Sequence, residues 1–168
     1  MTEKVKIAID LMGGDNSPDK TLEGIDLFIQ RNLNLNDYFF YLYGDKDLVL
    51  QKLKNLKFLK SNYELIDTKI IVSNELSPIA ALKKGKGSSM WESIQSQISL
   101  NTDVSLSAGN TGVFLVMSKM ILKMLEGIDK PALAGLWPSD KGMSLVLDLG
   151  ANIECSEKNF IDFSEMGP

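Results

Sequence analysis

The sequence of 168 residues contains no histidine. Histidine is the commonest general base and metal ligand, and it activates serine and cysteine nucleophiles, so those catalytic pairs are excluded. The single cysteine, Cys155, excludes a disulfide framework, and without a histidine partner we expect it to pack rather than to react. The same scarcity argues against a zinc site. Any chemistry must therefore use carboxylates, lysines, hydroxyl groups and backbone amides.

Basic charge and long apolar runs are also scarce. The 18 basic and 22 acidic residues give a net charge of −4, which argues against binding a nucleic-acid backbone. The most apolar stretch, residues 113–125, is interrupted by Ser118, Lys119 and Lys123 and is shorter than the roughly 20 residues that span a bilayer. No segment resembles a targeting signal. We therefore expect a cytoplasmic protein.

Short apolar runs alternate with amphipathic segments along the chain. Strands are predicted over residues 5–9, 38–43, 63–66, 69–72, 102–107, 132–136 and 143–148, and helices over 18–31, 47–60, 76–84, 89–100 and 110–126 and from 157. This alternation predicts a three-layer α/β/α fold with a mostly parallel, twisted sheet. We expect residues 1–168 to form a single α/β domain, truncated because it is the N-terminal part of a longer protein.

Three turns rich in small residues follow predicted strands, at residues 10–15, 107–112 and 148–152. Ligands of open α/β sheets bind beyond the carboxyl ends of the strands, where glycines and helix N-termini expose backbone N–H groups to anions. We therefore predict a phosphate site. Its candidate residues are Asp10, Gly13, Gly14, Asp15, Asn16, Ser107, Gly109, Asn110, Thr111, Gly112, Asp148, Gly150 and Asn152.

Each turn also has a plainer interpretation. A glycine after a strand often marks only a turn, and none of the three matches a Walker A or dinucleotide-binding motif. Asn110 or Thr111 can cap the helix that follows, which is compatible with anion binding. Asp10, Asp15 and Asp148 would repel a bare phosphate, so we expect them to orient amides or lysines or to cap turns, with a magnesium site as a weaker alternative.

A basic cluster precedes a pair of serines in the middle of the chain. Lys84 is expected on the solvated surface, whereas Lys83 or Lys86 is expected to fold toward the anion, with Ser88 and Ser89 at the start of a helix. The Ser-x-x-Glu pattern that begins at Ser89 predicts a capping box. The alternative for all three lysines is a solvated surface run.

Taken together, these motifs resemble the N-terminal half of the bacterial phosphate acyltransferase family (PlsX). The matching stretches are IAIDLMGGDN at 7–16, SAGNTG at 107–112, PALA at 131–134, DLGANIEC at 148–155 and the basic run ending in two serines at 83–89. The similarity covers nearly the whole chain. Leu11 and Val113 replace the usual alanine and Glu154 the usual aspartate, and family members are about twice as long.

The resemblance implies transfer of a fatty acyl chain from acyl carrier protein to inorganic phosphate, giving acyl phosphate for phospholipid synthesis without a cofactor or metal. It also implies a Rossmann-like fold similar to isocitrate and isopropylmalate dehydrogenases, a homodimer, and peripheral association with the inner membrane surface. The residues expected to carry the reaction are Lys86, Asn110, Thr111 and Asn152. The alternatives are a phosphotransacetylase-like enzyme using acyl-coenzyme A, a non-catalytic phosphate- or nucleotide-binding module, and an inactive fragment.

Overall fold

The computed structural model describes residues 4–31, 37–73 and 77–167. They divide into two compact units, within residues 1–122 and 123–168. The elements of the first unit are β1 (Val5–Asp10), α1 (Asp19–Arg31), β2 (Tyr38–Gly44), α2 (Lys46–Leu53), β3 (Tyr63–Asp67), α3 (Pro78–Lys84), α4 (Ser89–Ser99), β4 (Val104–Ser107) and α5 (Thr111–Leu122). Whether both units form one domain stays a prediction.

The first unit contains a parallel four-stranded sheet in the order β3-β2-β1-β4. Alternate residues of each strand face opposite sides, so Ile7 and Ile9 of β1 lie on one face with Phe40 and Leu42 of β2. That face packs against apolar side chains of α1 and α2, including Ile25. The helices that flank the sheet confirm the α/β class and are consistent with the predicted three-layer, Rossmann-like fold.

The opposite side of the unit carries a second core built by α3, α4 and α5. Met90 and Ile94 of α4 pack there with Val113 and Met117 of α5. The Ser105 hydroxyl donates to the backbone carbonyl of Ser93 in α4 at 2.7 Å, which fixes α4 against β4. The apolar spacing of these helices therefore reflects core packing.

Three helices begin at the edge of the sheet where the parallel strands end. α1 follows β1 and α5 follows β4, so both start at that edge, and α4, which leads into β4, also starts there. Their positive dipole ends consequently point toward the loops that follow β1 and β4.

The predicted helix over residues 47–60 is too long, because α2 ends at Leu53. Asp26 of α1 accepts N–H groups from Lys57, Phe58 and Leu59 at 3.1, 2.7 and 2.8 Å, which holds this segment as a turn. Burial raises the pKa of Asp26, but the three N–H bonds outweigh it and hold the pKa below its usual 3.8. A distant carboxylate thus stabilises the turn that follows the helix.

Two further boundaries differ from the prediction. The strand expected over residues 69–72 is reduced to a single bridge between Ile70 and Ser88. The helix expected to reach residue 126 ends at Leu122, where Lys123 adopts a left-handed conformation with φ of 70°.

The second unit contains β5 (Ala134–Ser139), β6 (Gly142–Leu147) and α6 (Glu157–Met166). The prediction that these strands join the parallel sheet is wrong, because they form an antiparallel two-stranded sheet of their own. Only two residues connect them, and so short a connection permits only an antiparallel pair. Among all helices of the described residues, none is long and apolar enough to cross a membrane.

Candidate anion-binding site

Asp10, the last residue of β1, connects the two loops at the carboxyl ends of β1 and β4. Its side chain is only 1% exposed. One carboxylate oxygen accepts the backbone N–H groups of Met12 and Gly13, each at 3.1 Å. The other accepts the Ser107 hydroxyl at 2.7 Å. Since Asp10 and Ser107 are register partners in the sheet, the strand pairing itself brings the loops together.

Ser107 extends this network into the second loop, because its hydroxyl oxygen accepts the Gly109 N–H at 3.1 Å. We call Asp10, Ser107 and the N–H groups of Met12, Gly13 and Gly109 the Asp10 clamp. Asp10 and Ser107 were candidate binding residues in the sequence. In the structure the Asp10 carboxylate accepts hydrogen bonds from two backbone amides and one hydroxyl group. These contacts agree with the expectation that Asp10 orients amides.

The two loops lie so close that neither Gly13 nor Gly14 has room for a side chain. A Cβ on Gly13 would overlap the Asp10 carboxylate and would lie 2.8 Å from the Ser107 hydroxyl oxygen. Gly14 has a φ of 91°, and a Cβ there would lie 2.6 Å from the Ala108 carbonyl oxygen. Glycine is therefore required at both positions for direct backbone contact.

The N-terminus of α5 presents backbone donors beside the clamp. Asn110 caps the helix, since its side-chain oxygen accepts the Val113 N–H at 3.1 Å. Thr111 and Gly112 occupy the first helical turn, where N–H groups have no partner within the helix. Their N–H groups have no acceptor in residues 4–31, 37–73 or 77–167. These two amides and the exposed Thr111 hydroxyl are suited to an anion.

The loop after β1 adds a second set of residues. Asp15 and Asn16 are exposed, and Asn16 has a positive φ of 58°. Sequence analysis missed the contribution of Ser17, whose hydroxyl donates to the carbonyls of Gly13 and Gly14. A serine directly before a proline is typical of a helix N-cap, and spacing alone does not identify the carbonyl groups that this serine contacts.

The serine pair of the basic segment lies at the start of α4. Ser88, and not Ser89, caps the helix, with its hydroxyl oxygen accepting the Trp91 N–H at 3.2 Å. Both serines are buried, and Met90 next to them approaches Gly109 closely enough that a Cβ on Gly109 would lie 2.7 Å from its methyl group. The start of α4 therefore adjoins the loop after β4.

The lysines that precede this serine pair are on the surface. Lys83, Lys84 and Lys86 are all exposed. This matches the solvated position expected for Lys84. A role of Lys83 or Lys86 at the anion stays a prediction.

The third candidate loop repeats the local design in the second unit. Asp148 accepts N–H groups from Ala151 and Asn152, both at 3.3 Å, as Asp10 does in its own loop. The Asn152 side chain donates to the Pro131 carbonyl at 2.8 Å, and Gly150 has a φ of 82°. The hydrogen bonds of Asp148 and Asn152 therefore hold the conformation of this loop. The convergence of this loop with the first two stays a prediction.

The fold and these loops define the class of protein: an open parallel α/β sheet with glycine-containing loops and helix N-termini at the carboxyl ends of its strands. The sequence model of a family described as "Fatty acid synthesis protein" matches residues 5–168. The chain therefore belongs to the fatty acid synthesis protein family.

Curated relatives of the chain are named phosphate acyltransferase. The protein of Pelagibacter ubique is 51% identical over 167 residues, which are 99% of this chain and 49% of the relative. Those of Paramagnetospirillum magneticum and Xanthobacter autotrophicus are 37% and 38% identical over 99% of this chain and 47% and 46% of the relatives. The chain thus spans about half the length of these relatives.

Proposed function

We propose that this chain forms the phosphate-binding part of an acyltransferase that moves a fatty acyl group from acyl carrier protein to inorganic phosphate. The observation that carries the proposal is the Asp10 clamp, which holds two loops together beside the donors of Thr111 and Gly112. The names of the relatives support the reaction type.

The chemistry of this reaction suits a site without histidine. A phosphate oxygen forms a bond to the thioester carbonyl carbon, and the tetrahedral intermediate then loses the thiolate as the C–S bond breaks. Phosphate monoesters have a second pKa of about 6, so a phosphate nucleophile needs little help from a base near neutral pH. A thiol of pKa about 8.5 leaves without a strong acid. Positioning and oxyanion stabilisation are the remaining tasks.

Each task has a candidate in the chain. The Thr111 hydroxyl and the amides at the start of α5, with the loop of residues 13–16, would hold phosphate. Asn110 would position this helix start, and Asp10 would hold the loops. Lys83 or Lys86 would add positive charge. Gly150 and Asn152 would border the acyl thioester.

Further expectations concern the partners of the complete enzyme. Acyl carrier protein is acidic, and the chain also has a negative net charge of −4. Because like charges repel, docking requires a local basic surface on the chain. The exposed residues Lys83, Lys84 and Lys86 supply one. A homodimer in the cytoplasm, bound peripherally to the inner membrane surface, completes the proposal.

The experiment measures thiol release from palmitoyl–acyl carrier protein with increasing phosphate, and phosphate binding by calorimetry. Thr111→Ala removes a hydroxyl but keeps the amide, so we expect phosphate affinity to fall about tenfold, the equivalent of one hydrogen bond to a charged group. Ser118→Ala on the same helix is the control. In the full-length protein, phosphate binding without thiol release would favour a non-catalytic binding module. No phosphate binding would refute the site.

A further inference from the structure

A groove of about 460 Å³ opens in the first unit between α1 and the strands β1 and β4. Its floor and walls are mainly apolar, with Ile9, Ile25, Phe28 and Leu106 among the lining side chains. Leu106 is 48% exposed and Phe28 is 37% exposed, so the apolar surface is open to solvent. The volume lies within the range typical of small-molecule sites.

One end of the groove is formed by Gly13, Asp15, Ser107 and Ala108 of the loops that follow β1 and β4. Along β1 the lining runs from Ile7 to Asp10, a rise of about 10 Å at the spacing of a strand. Along α1 it runs from Lys20 to Phe28, about 12 Å at the rise of a helix. A ligand lying along this direction would have its apolar part on the groove floor and its head at Gly13 and the neighbouring loop residues.

We propose that this groove binds the hydrocarbon chain of the fatty acyl substrate, with the carbonyl end at the loops. The inference rests on the proposed function, because it assigns the apolar part of the same substrate. An unbranched hydrocarbon chain matches an open groove with few polar atoms, and its burial against the exposed faces of Phe28 and Leu106 favours binding through the hydrophobic effect.

Gly24 determines how much of the groove is open. It lies within α1, where glycine is destabilising by about 1 kcal/mol relative to alanine. A glycine inside a helix therefore points to a packing or functional role at that position. It lines the groove, and a Cβ built there meets no atom within 4 Å. A larger side chain at this position would project into the groove without displacing the protein core.

The test titrates the chain with palmitate and with octanoate below their micellar concentrations, using calorimetry and amide chemical shifts. Gly24→Leu should weaken palmitate binding about tenfold, which corresponds to about two methylene groups losing burial. Octanoate should be weakened as well, because a chain lying along the groove from Gly13 also passes Gly24. Gln30→Leu adds a leucine to an exposed position of the same helix outside the groove and should leave both affinities unchanged.

A second variant keeps the test decisive if Gly24→Leu does not fold. Leu106→Gln places an amide on the half-exposed groove floor and should also weaken palmitate binding. Palmitate affinities equal to that of the unchanged chain in the folded variants would overturn the proposal. A dimer that covers the groove, detected by sedimentation and broken by Gly24→Leu, would assign the groove to a second copy and would also overturn it.

Phosphate is titrated in the same samples to separate the two hypotheses. Phosphate binding that persists in Gly24→Leu together with weakened palmitate binding supports both. Phosphate binding with unaltered palmitate affinity rejects the acyl groove alone. Absence of phosphate binding in the unchanged chain rejects the proposed function, whatever palmitate does.

Discussion

Replacing Asp10 by alanine should destabilise the first unit more than any surface substitution. The change removes the acceptor of two backbone N–H groups and of the Ser107 hydroxyl, at a position only 1% exposed. A hydrogen bond to a charged group contributes about 1.5–3 kcal/mol, and breaking a buried charged network costs about 3–5 kcal/mol. Because the three bonds share one carboxylate, they do not simply add, and we expect a loss of about 3–5 kcal/mol.

The assay is urea unfolding followed by tryptophan fluorescence. Trp91 is buried in the first unit, whereas Trp137 in the second is 61% exposed, so a Trp137→Phe background makes the signal specific for the first unit. Asp10→Asn keeps an oxygen for the two N–H groups but loses the charge, and it should cost about 1–2 kcal/mol. Asp15→Asn, at an exposed position of the same loop, should change stability by less than about 0.5 kcal/mol.

The clamp would be refuted as a structural device if Asp10→Ala lost less than about 1 kcal/mol. Measuring phosphate affinity tests the role of the Asp10 carboxylate independently of stability. A carboxylate that merely repelled phosphate would, once neutralised, allow tighter binding. A carboxylate that holds the loops would, once neutralised, weaken binding, and this is the outcome we expect from Asp10→Asn.

Two further predictions concern loop contact and acid stability. Gly13→Ala should destabilise the first unit by about 2 kcal/mol or more through overpacking and abolish phosphate binding, whereas Gly24→Ala, with open space around it, should be neutral or stabilising by up to about 1 kcal/mol in urea unfolding. Asp26→Ala should cost about 1–2 kcal/mol at pH 7 by removing the acceptor of three N–H groups. Because the pKa of Asp26 is lowered below 3.8 in the folded chain, its contribution is present above about pH 5 and is lost as the pH falls through the lowered pKa. The difference in unfolding free energy between the two proteins should therefore shrink as the pH falls below 3.8, and a difference that grows on acidification would contradict the assigned role of Asp26.

Local sequence patterns were enough to predict the strands and helices that are defined by a single apolar face. The apolar run that begins at Val5 and the helical spacing of Leu22, Ile25 and Ile29 correspond to β1 and α1 within one or two residues. The apolar run and the helical spacing each depend only on the burial of residues that are close together in the sequence. Their agreement with the structure reflects the fact that a single apolar face is sufficient to specify each element.

Long-range contacts account for what the sequence could not show. The turn that replaces the predicted last part of α2 is held by Asp26, which lies more than 30 residues from the amides it accepts. The contact between Asp10 and Ser107 spans 97 residues and requires β1 and β4 to be neighbours in the sheet, an order that spacing does not encode. The pairing of β5 with β6 was missed because the predicted strands, 132–136 and 143–148, leave six residues between them, which concealed the two-residue connection of the hairpin.

The most direct test of the account is the site at which inorganic phosphate binds the chain. Titration of the isotope-labelled protein with phosphate should shift the amide resonances of Thr111 and Gly112 together with those of Gly14 and Asn16, and sulfate should compete. Saturable shifts confined to these two loops are the predicted result. Shifts that appear only at the exposed lysines of residues 83–86, or that do not saturate, would contradict it.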